Sequence, residues 1–326
     1  MKFLFSTQKP LARVAFNMRP RRGSYGGGNQ WLTQLAAYLK SYGYAVQYDL
    51  TPDVDCVLGT HAGPKGELSF SYEDVLAAKK RNPRLVCIHR INDNDIRKRT
   101  NEMDAILESA NAAADHTVFI SDWLRDYFVG KWFDPAKPHS VIYNGADPLI
   151  YHPIGGAGLP RDGEPLRVVT HHWSDNPLKG FDEYEQFDAM IADQQIKGFE
   201  FVVIGRWPSS IRWRAAQTRP PMNGHELAAE LRKCHFYLTA SRWEPGGMHH
   251  VEGAQCGLPL LYHADGGGIN EAGRRYGLEF RDDLRDRVLE MRERYPELRR
   301  KVLEAPPSGD LMSLHFRRLV QSLLCR

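Results

Sequence analysis

Two glutamates around a glycine turn are the residues of this chain whose types and spacing best suit chemistry. Glu244 and Glu252 stand eight positions apart, and Pro245-Gly246-Gly247 follows the first of them. Carboxylates accept hydrogen bonds from sugar hydroxyls, and the backbone amides between the glutamates can face a phosphate. This combination suits a nucleotide-sugar. The alternative is a surface helix that carries two unrelated glutamates.

The elements around this turn would make it an anion site. Residues 236–240 form an apolar run with the length and composition of a β-strand. A helix is predicted from Met248 to Gly257, because a glycine followed by Pro259 is typical of a helix end. A strand, a glycine turn and a helix N-terminus hold anions through unpaired N–H groups and the helix dipole. The turn matches neither a Walker loop nor a G-x-G-x-x-G fingerprint.

The longer segment resembles a known family signature. The glutamate pair is followed by Gly-Leu-Pro-Leu-Leu at 257–261 and by a glycine loop that ends at Glu271. This pattern resembles the donor-site signature of glycosyltransferase family 4 (glycosyl transferases group 1), whose members are retaining enzymes. The resemblance covers most of the chain and is strongest from Lys179 to Glu271. It implies an α/β fold of the GT-B type, with two Rossmann-like domains whose parallel sheets face a central cleft.

The resemblance also implies a reaction and a role for each matched residue. The enzyme would move a sugar from a nucleotide-diphosphate sugar to an acceptor, with retention at the anomeric carbon. Glu244 would hold the sugar as a catalytic residue, Glu252 would bind ribose hydroxyls, and Lys179 would neutralise the leaving diphosphate. The backbone amides that would stabilise the departing phosphate belong to Gly246, Gly247 and Met248. Substitution of Glu244 or Lys179 is expected to reduce transfer sharply and to leave the melting temperature nearly unchanged.

One phosphate ligand departs from the family pattern. The family usually has a Gly-Arg pair shortly before the lysine, and this chain has His172-Trp173 there. Arg206, after the apolar run 201–205, would supply the missing cation; otherwise it is a surface residue. His249-His250 lacks carboxylates and cysteines at metal-ligand spacing. No Asp-x-Asp appears in a setting that suggests bound Mg²⁺, so we expect metal-independent transfer, with the nucleotide-sugar as co-substrate and no other cofactor.

The first domain contributes a second glycine loop and a histidine. Gly27 and Gly28 lie between a predicted strand and a helix that Asn29 would cap. A similar loop in the family approaches the donor phosphates, so both glycines are candidate donor ligands; the alternative is a tight turn that needs positive φ. His89 ends the predicted strand 85–89, where the family has a catalytic histidine. The alternative is a histidine at the edge of the core.

Three weaker signals complete the candidates. His61 also ends a predicted strand. A basic loop, formed by Arg19, Arg21 and Arg22, either meets an anionic acceptor or lies solvated. The loop 207–221 mixes arginines with tryptophans, which favours either a base-stacking or acceptor surface or a packed loop with its arginines in water.

Length and composition divide the chain and exclude some classes of protein. The glycine- and proline-rich residues 151–165 predict a linker between an N-terminal domain on the acceptor side, 1–150, and a C-terminal donor domain, 166–308. Residues 309–326 would form a helix that crosses back to the first domain, as in GT-B proteins. The net charge of +3, from 43 basic and 40 acidic residues, is too balanced to predict nucleic-acid binding.

Localisation and partners are predicted only in outline. Five cysteines without metal spacing and an N-terminus unlike a secretory signal indicate a cytoplasmic protein. No apolar run approaches the ~20 residues of a membrane span, although a peripheral membrane contact stays open. The acceptor is a saccharide, a lipid carrier, a small metabolite or a modified nucleobase. The alternative functions are a GT-B nucleotide-sugar epimerase or hydrolase, and a non-catalytic module that binds nucleotide-sugar or nucleic acid.

Overall fold

The chain forms two parallel sheets, one from each half. A computed structural model describes residues 9–21, 23, 26–60, 63 and 68–325. The first sheet has six strands in the order β2-β1-β3-β4-β5-β6. In chain order these strands are β1 (Arg13–Phe16), β2 (Ala45–Gln47), β3 (Cys56–Gly59), β4 (Val86–Ile91), β5 (His116–Phe119) and β6 (His139–Val141).

The second sheet repeats the parallel arrangement in the order β12-β11-β10-β7-β8-β9. Its strands are β7 (Leu166–His172), β8 (Phe199–Gly205), β9 (Gln217–Arg219), β10 (Phe236–Thr239), β11 (Leu260–His263) and β12 (Gly277–Phe280). Its inner strands β10 and β11 are buried along their whole length, as expected for a parallel sheet covered on both faces.

Helices connect the strands of both sheets. The first half contains α1 (Gly27–Ser41), α2 (Tyr72–Arg81), α3 (Asp95–Lys98), α4 (Met103–Asn111) and α5 (Asp122–Val129). The second half contains α6 (Phe181–Ala192), α7 (Gly224–Arg232), α8 (Met248–Gln255), α9 (Ile269–Tyr276), α10 (Leu284–Glu304) and α11 (Gly309–Leu324). A single 3₁₀ turn, Pro177–Lys179, precedes α6. Among the described residues, no helix is long and apolar enough to cross a membrane.

Each sheet has a point where the strand order reverses, and these points locate the ligand crevice. The order reverses between β1 and β3 in the first sheet and between β7 and β10 in the second. In open parallel sheets, ligands bind beyond the carboxyl ends of the strands at such a switch point. The segments that leave β7 and β10 carry Lys179 and Glu244, so the topology itself brings these two residues to one crevice.

The last helix returns to the first half of the chain. The ring of Phe316 in α11 lies 5.3 Å from the ring of Trp31 in α1, in an edge-on contact. Met312, Val320 and Leu323 join the same buried cluster as the strands of the first sheet. The two halves are therefore connected in two places. The segment 151–165 joins them along the chain, and α11 packs against the core of the first half.

Two element boundaries differ from the sequence prediction. Helix α1 begins at Gly27 with Gly26 as its N-cap, so Asn29 lies inside the helix. The Asn29 side chain instead accepts a hydrogen bond from Arg21 N and donates one to Arg21 O. Strand β4 continues to Ile91, which places His89 inside the strand and not at its end.

Candidate functional site

A cavity of about 360 Å³ lies between the two halves of the chain. Segments that leave the carboxyl ends of strands in both sheets line it. It contains most of the site residues that the sequence predicts, namely Gly27, Gly28, Lys179, Glu244, Gly246, Gly247 and Met248.

The centre of this cavity is a buried ion cluster that joins the two halves. The Oε2 atom of Glu244 lies 3.1 Å from Lys179 Nζ and 2.8 Å from Arg97 Nη2. The three side chains are only 10–13% exposed. Arg97 belongs to α3 of the first half, so Glu244 is held by one cation from each side of the cleft.

The charge state of the cluster follows from this geometry. Burial alone raises the pKa of Glu244, but the adjacent Lys179 and Arg97 cations outweigh it and lower the pKa to about 2. Burial lowers the pKa of Lys179, and the Glu244 carboxylate opposes that shift. Glu244 is therefore ionised at neutral pH.

The backbone around Glu244 is held in an unusual conformation. Trp243 has a φ of +50°, a left-handed conformation that costs a non-glycine residue of order 1–3 kcal/mol. It persists because Trp243 N donates to Asp265 O at 2.7 Å, and Gly268 N donates to Glu244 O at 2.9 Å. This loop pairing aims the Glu244 carboxylate into the cleft.

Lys179 is positioned by a turn that only glycine can complete. The side chain of Asn176 accepts a hydrogen bond from Leu178 N and starts the 3₁₀ turn. Gly180 then has a φ of +77°, and a Cβ there would lie 2.1 Å from Ala240 O. The turn is therefore packed directly against the end of β10, which fixes Lys179 beside Glu244.

Two helix N-termini meet across the cleft. Helix α8 begins at Met248 with Gly247 as its N-cap, and α1 begins at Gly27. A Cβ at Gly27 would lie 2.6 Å from Met248 Cγ, so the first turns of the two helices are in contact. Because the first amides of a helix lack intrahelical acceptors, both termini favour an anion.

The described lining residues of the cavity carry an excess of positive charge. Two carboxylates, Asp93 and Glu244, face four cations. The cations are Arg90, Arg97, Lys98 and Lys179. Burial lowers the pKa values of His172 and His249 well below their usual range, so these lining histidines are neutral. Counted over its Asp, Glu, Lys and Arg side chains, the described lining therefore has a surplus of two positive charges.

His89 does not reach this cavity. It is fully buried, with its ring 4.8 Å from the ring of Tyr72 and its Nδ1 3.1 Å from Asn111 Nδ2. Burial lowers its pKa to about 3. Because side chains alternate along a strand, the next residue, Arg90, faces the cavity in its place. The geometry favours the alternative of a core histidine over the expected catalytic position.

Glu252 is also placed away from the cavity lining. It is fully buried on α8, and its Oε2 lies 2.8 Å from His171 Nε2. His171 lines the cavity, so Glu252 reaches the cleft only through that ring. Glu252 could contact a ribose in the cavity only if the Glu252–His171 pair rearranged.

Arg206 does not supply the missing phosphate cation in this arrangement. Its side chain is exposed, and Nη1 donates to Trp173 O at 3.1 Å. The two arginines that line the cavity, Arg90 and Arg97, both come from the first half. Arg90 lies inside β4, and Arg97 lies in α3, after the polar residues 92–94. The arginines on either side of this polar segment were the only signal in the sequence.

The remaining sequence candidates have local roles or lie outside the described chain. The ring centres of Trp207 and Trp213 lie 6.0 Å apart in an edge-to-face contact. Both rings pack against the buried core of the second sheet, as expected for a packed loop. Arg19 pairs with Asp49 at the surface. His61 and Arg22 lie outside the described residues. In the part of the chain that the structure describes, no three His, Cys, Asp or Glu side chains are grouped to hold a metal ion.

A carboxylate latch, formed by Glu271, joins α9 to the first half of the chain. Glu271 of α9 accepts hydrogen bonds from Asp122 N at 3.0 Å and from Trp123 N at 2.6 Å, at the N-terminus of α5. Asn144 Nδ2 donates to Gly246 O at 2.6 Å nearby. The carboxylate charge and the helix dipole both strengthen hydrogen bonds to a helix N-terminus. This latch therefore stabilises the arrangement in which α9 and α5 are in contact.

Glu271→Gln is expected to lower the free energy of unfolding by about 1–2 kcal/mol, because one carboxylate oxygen becomes an NH₂ that faces an N–H donor. Urea denaturation followed by circular dichroism measures the change. Glu185→Gln on the exposed face of α6 is the matched control, with an expected change within about 0.5 kcal/mol. Equal stability of the two variants would contradict the latch.

Solved structures similar to this chain share its architecture over nearly its whole length. Sucrose-phosphate synthase from Thermosynechococcus elongatus matches with a TM-score of 0.70 at 12% identity, over 96% of this chain and 99% of that chain. HepE from Anabaena in complex with UDP and glucose has a TM-score of 0.65 at 12% identity, over 95% and 100% of the two chains. The catalytic domain of starch synthase IV from Arabidopsis thaliana, bound to ADP and acarbose, has a TM-score of 0.67 at 10% identity, over 97% and 100%.

These comparisons confirm the predicted fold class. The two parallel sheets and their helices form the GT-B architecture of glycosyltransferases. No known protein-family profile and no curated protein sequence matches the chain.

Proposed function

We propose that this protein is a retaining, metal-independent glycosyltransferase that moves a sugar from a nucleotide-diphosphate sugar to an acceptor. The observation that carries the proposal is the meeting of Lys179, Glu244 and Arg97 inside the interdomain cavity, beside two helix N-termini. Helix N-termini and fixed cations are the groups that bind phosphate in proteins.

The charge of the cavity supports a diphosphate as the ligand. The diphosphate of a nucleotide-sugar carries two negative charges at neutral pH, and the described lining has a surplus of two positive charges. Binding would therefore neutralise the site. Protein cations and amides suffice for that balance, which is why we propose transfer without a metal ion.

The proposed reaction breaks the bond between the anomeric carbon and the diphosphate oxygen and forms a bond from that carbon to an acceptor oxygen, whose proton the departing diphosphate accepts. Negative charge builds on the departing diphosphate, where Lys179, Arg97 and the first amides of α8 would stabilise it. Positive charge builds on the sugar, and Glu244 is the ionised carboxylate able to face it. Because Arg97 and Lys179 come from opposite halves and already share Glu244, closure of the cleft would hold both cations beside the diphosphate.

The donor and acceptor are proposed in order of support. Neighbouring structures contain UDP with glucose and ADP with acarbose, and one is an α-glucosyltransferase bound to UDP and a DNA that contains a modified base. UDP- and ADP-sugars are therefore the first donors to test. Saccharide and nucleobase acceptors come before lipid carriers and small metabolites. We also propose a cytoplasmic protein, and the free thiols of its five cysteines support this proposal.

The test is a thermal-shift screen against UDP-, GDP-, ADP- and dTDP-sugars, followed by product analysis with and without EDTA. At 100 times its Kd, a bound donor stabilises the protein by about 2.7 kcal/mol, which is a clear rise in melting temperature. We expect one donor to bind, an acceptor-dependent α-linked product from an α-linked donor, and no effect of EDTA. Free sugar or epimer formed without acceptor would favour a hydrolase or epimerase, and no shift with any donor would contradict the proposal.

A further inference from the structure

A second cavity, which we call the junction cavity, lies where the two halves meet the returning end of the chain. Its volume is about 130 Å³. Its walls come from the first half, from helices α8 and α9, and from the segment 305–315 that leads into α11 and forms its first turns. Arg97, Lys179 and Glu244 are not among its lining residues, so it is separate from the ion cluster.

Most of the described lining of the junction cavity is apolar. Ile120, Val251 and Met312 are buried side chains of its wall. Its Asp, Glu, Lys and Arg side chains are Glu271 and Arg275, whose charges cancel. Apolar cavities of about 150 Å³ stay dry and bind a ligand of the size of benzene. The size and charge of the junction cavity therefore suit one neutral aromatic ring.

Two buried polar atoms of the lining lack a hydrogen-bond partner among the described residues. They are Tyr276 Oη and His250 Nδ1, on side chains that are 2% and 3% exposed. Burial lowers the pKa of His250 to about 4, so its ring is neutral at neutral pH. A buried polar atom costs free energy unless it is hydrogen-bonded. A hydroxyl both donates and accepts, so it suits a phenol O–H and a neutral imidazole nitrogen.

We propose that the junction cavity binds a small neutral aromatic ligand that carries a hydroxyl group. The ring would lie against the apolar wall, and the hydroxyl would pair with Tyr276 Oη and His250 Nδ1. Asn144 and Gly246 line this cavity and also the cavity that contains Glu244, and Asn144 Nδ2 donates to Gly246 O at 2.6 Å. A ligand in the junction cavity would therefore stabilise the contact between the two halves beside the turn that follows Glu244.

Calorimetric titration with phenol tests the site, and toluene serves as the apolar counterpart. Tyr276→Phe removes a hydroxyl and keeps the ring, so it should weaken phenol binding about fivefold or more and should not weaken toluene binding. Because Tyr276 Oη has no partner among the described residues, this variant should melt no lower than the wild type. Tyr72→Phe is the matched control, since Tyr72 Oη is also buried without such a partner but lies outside the junction cavity.

A second variant fills the cavity. Ala272 lines it and is only partly buried, so Ala272→Leu places a larger apolar side chain in the empty space. We expect this variant to bind neither phenol nor toluene and to melt no lower than the wild type, as is common for cavity-filling substitutions. Ala77→Leu on the exposed face of α2 is its control and should bind both ligands like the wild type.

Equal phenol affinity of the wild type and Tyr276→Phe would overturn the hydroxyl pairing, and phenol binding by a folded Ala272→Leu protein would overturn the location. A wild type that binds no phenol would overturn the whole proposal and would mean that the cavity holds only water. The titrations contain no nucleotide-sugar, so their outcome does not depend on the proposed function.

Discussion

Lys179→Ala is expected to lower kcat about 100- to 1000-fold, the usual loss when one donor to a developing negative charge is removed. The lysine would face the diphosphate most strongly as it departs, so the effect falls on kcat more than on KM. Initial rates with the best donor from the thermal-shift screen measure it. A kcat within threefold of the wild type would remove Lys179 from the proposed mechanism.

The same substitution is expected to change stability little. After the lysine is removed, the buried carboxylate of Glu244 keeps Arg97 at 2.8 Å as its counter-ion. The melting temperature should therefore stay close to that of the wild type. Lys233→Ala is the matched control, because Lys233 is an exposed lysine that pairs with Glu230 on the surface and should affect neither rate nor melting.

Glu244→Gln is expected to abolish most transfer and also to destabilise the free protein. The neutral amide would leave Lys179 and Arg97 buried side by side without the Glu244 carboxylate as counter-ion. Removal of one partner from a buried ion pair lowers the free energy of unfolding by about 3–5 kcal/mol. The sequence alone predicts an unchanged melting temperature for this variant. The ion cluster reverses that expectation.

The stability effect has a defined dependence on pH. The pKa of Glu244 is lowered from its ordinary 4.5 to about 2. A carboxyl whose pKa is lower in the folded state adds stability above its unfolded pKa, and this stability is lost as pH falls through the folded value. The wild type should thus exceed Glu244→Gln by on the order of 3 kcal/mol at pH 7, and the gap should narrow below about pH 4.5 and close near pH 2.

Urea denaturation of both proteins between pH 7 and pH 2 measures this gap. Glu297→Gln on α10 is the control, because hydrogen bonds from Arg294 and Lys301 also lower the pKa of Glu297 to about 2, at a partly exposed position outside the cavity. That variant should keep full transfer activity. A constant gap for Glu244→Gln across the pH range would show that its carboxylate is not the group that titrates.

Local patterns were enough to predict the C-terminal wall of the site. Lys179 and Glu244 each follow a buried strand by a few residues, and Gly180 and Gly246-Gly247 mark the turns between strand and helix. Strand, turn and helix are determined by neighbours in the chain, so their spacing in the sequence predicts their positions in space. The glycine- and proline-rich segment 151–165 likewise divides the two sets of strands.

Side-chain direction at element ends could not be predicted with the same precision. Strand β4 continues two residues beyond the predicted end, and this extension leaves His89 inside the core. Glu252 lies on a helix that is buried on every side, so helical spacing did not reveal that it faces His171. For His89, a shift of one residue along the strand determines whether the side chain lies in the core or in the cleft. For Glu252, the face of the helix determines it.

The sequence by itself determined the two-domain architecture and the residues of one wall, because periodicity, turn residues and short spacings act locally along the chain. Only the tertiary structure decided that Arg97 pairs with Glu244 and that Arg90 lies in the cavity with no counter-ion among the described residues. These residues are more than 140 positions from the glutamate, in the other domain. Their charges act across the cleft, and the strength of that interaction depends on distance and burial that no local pattern encodes.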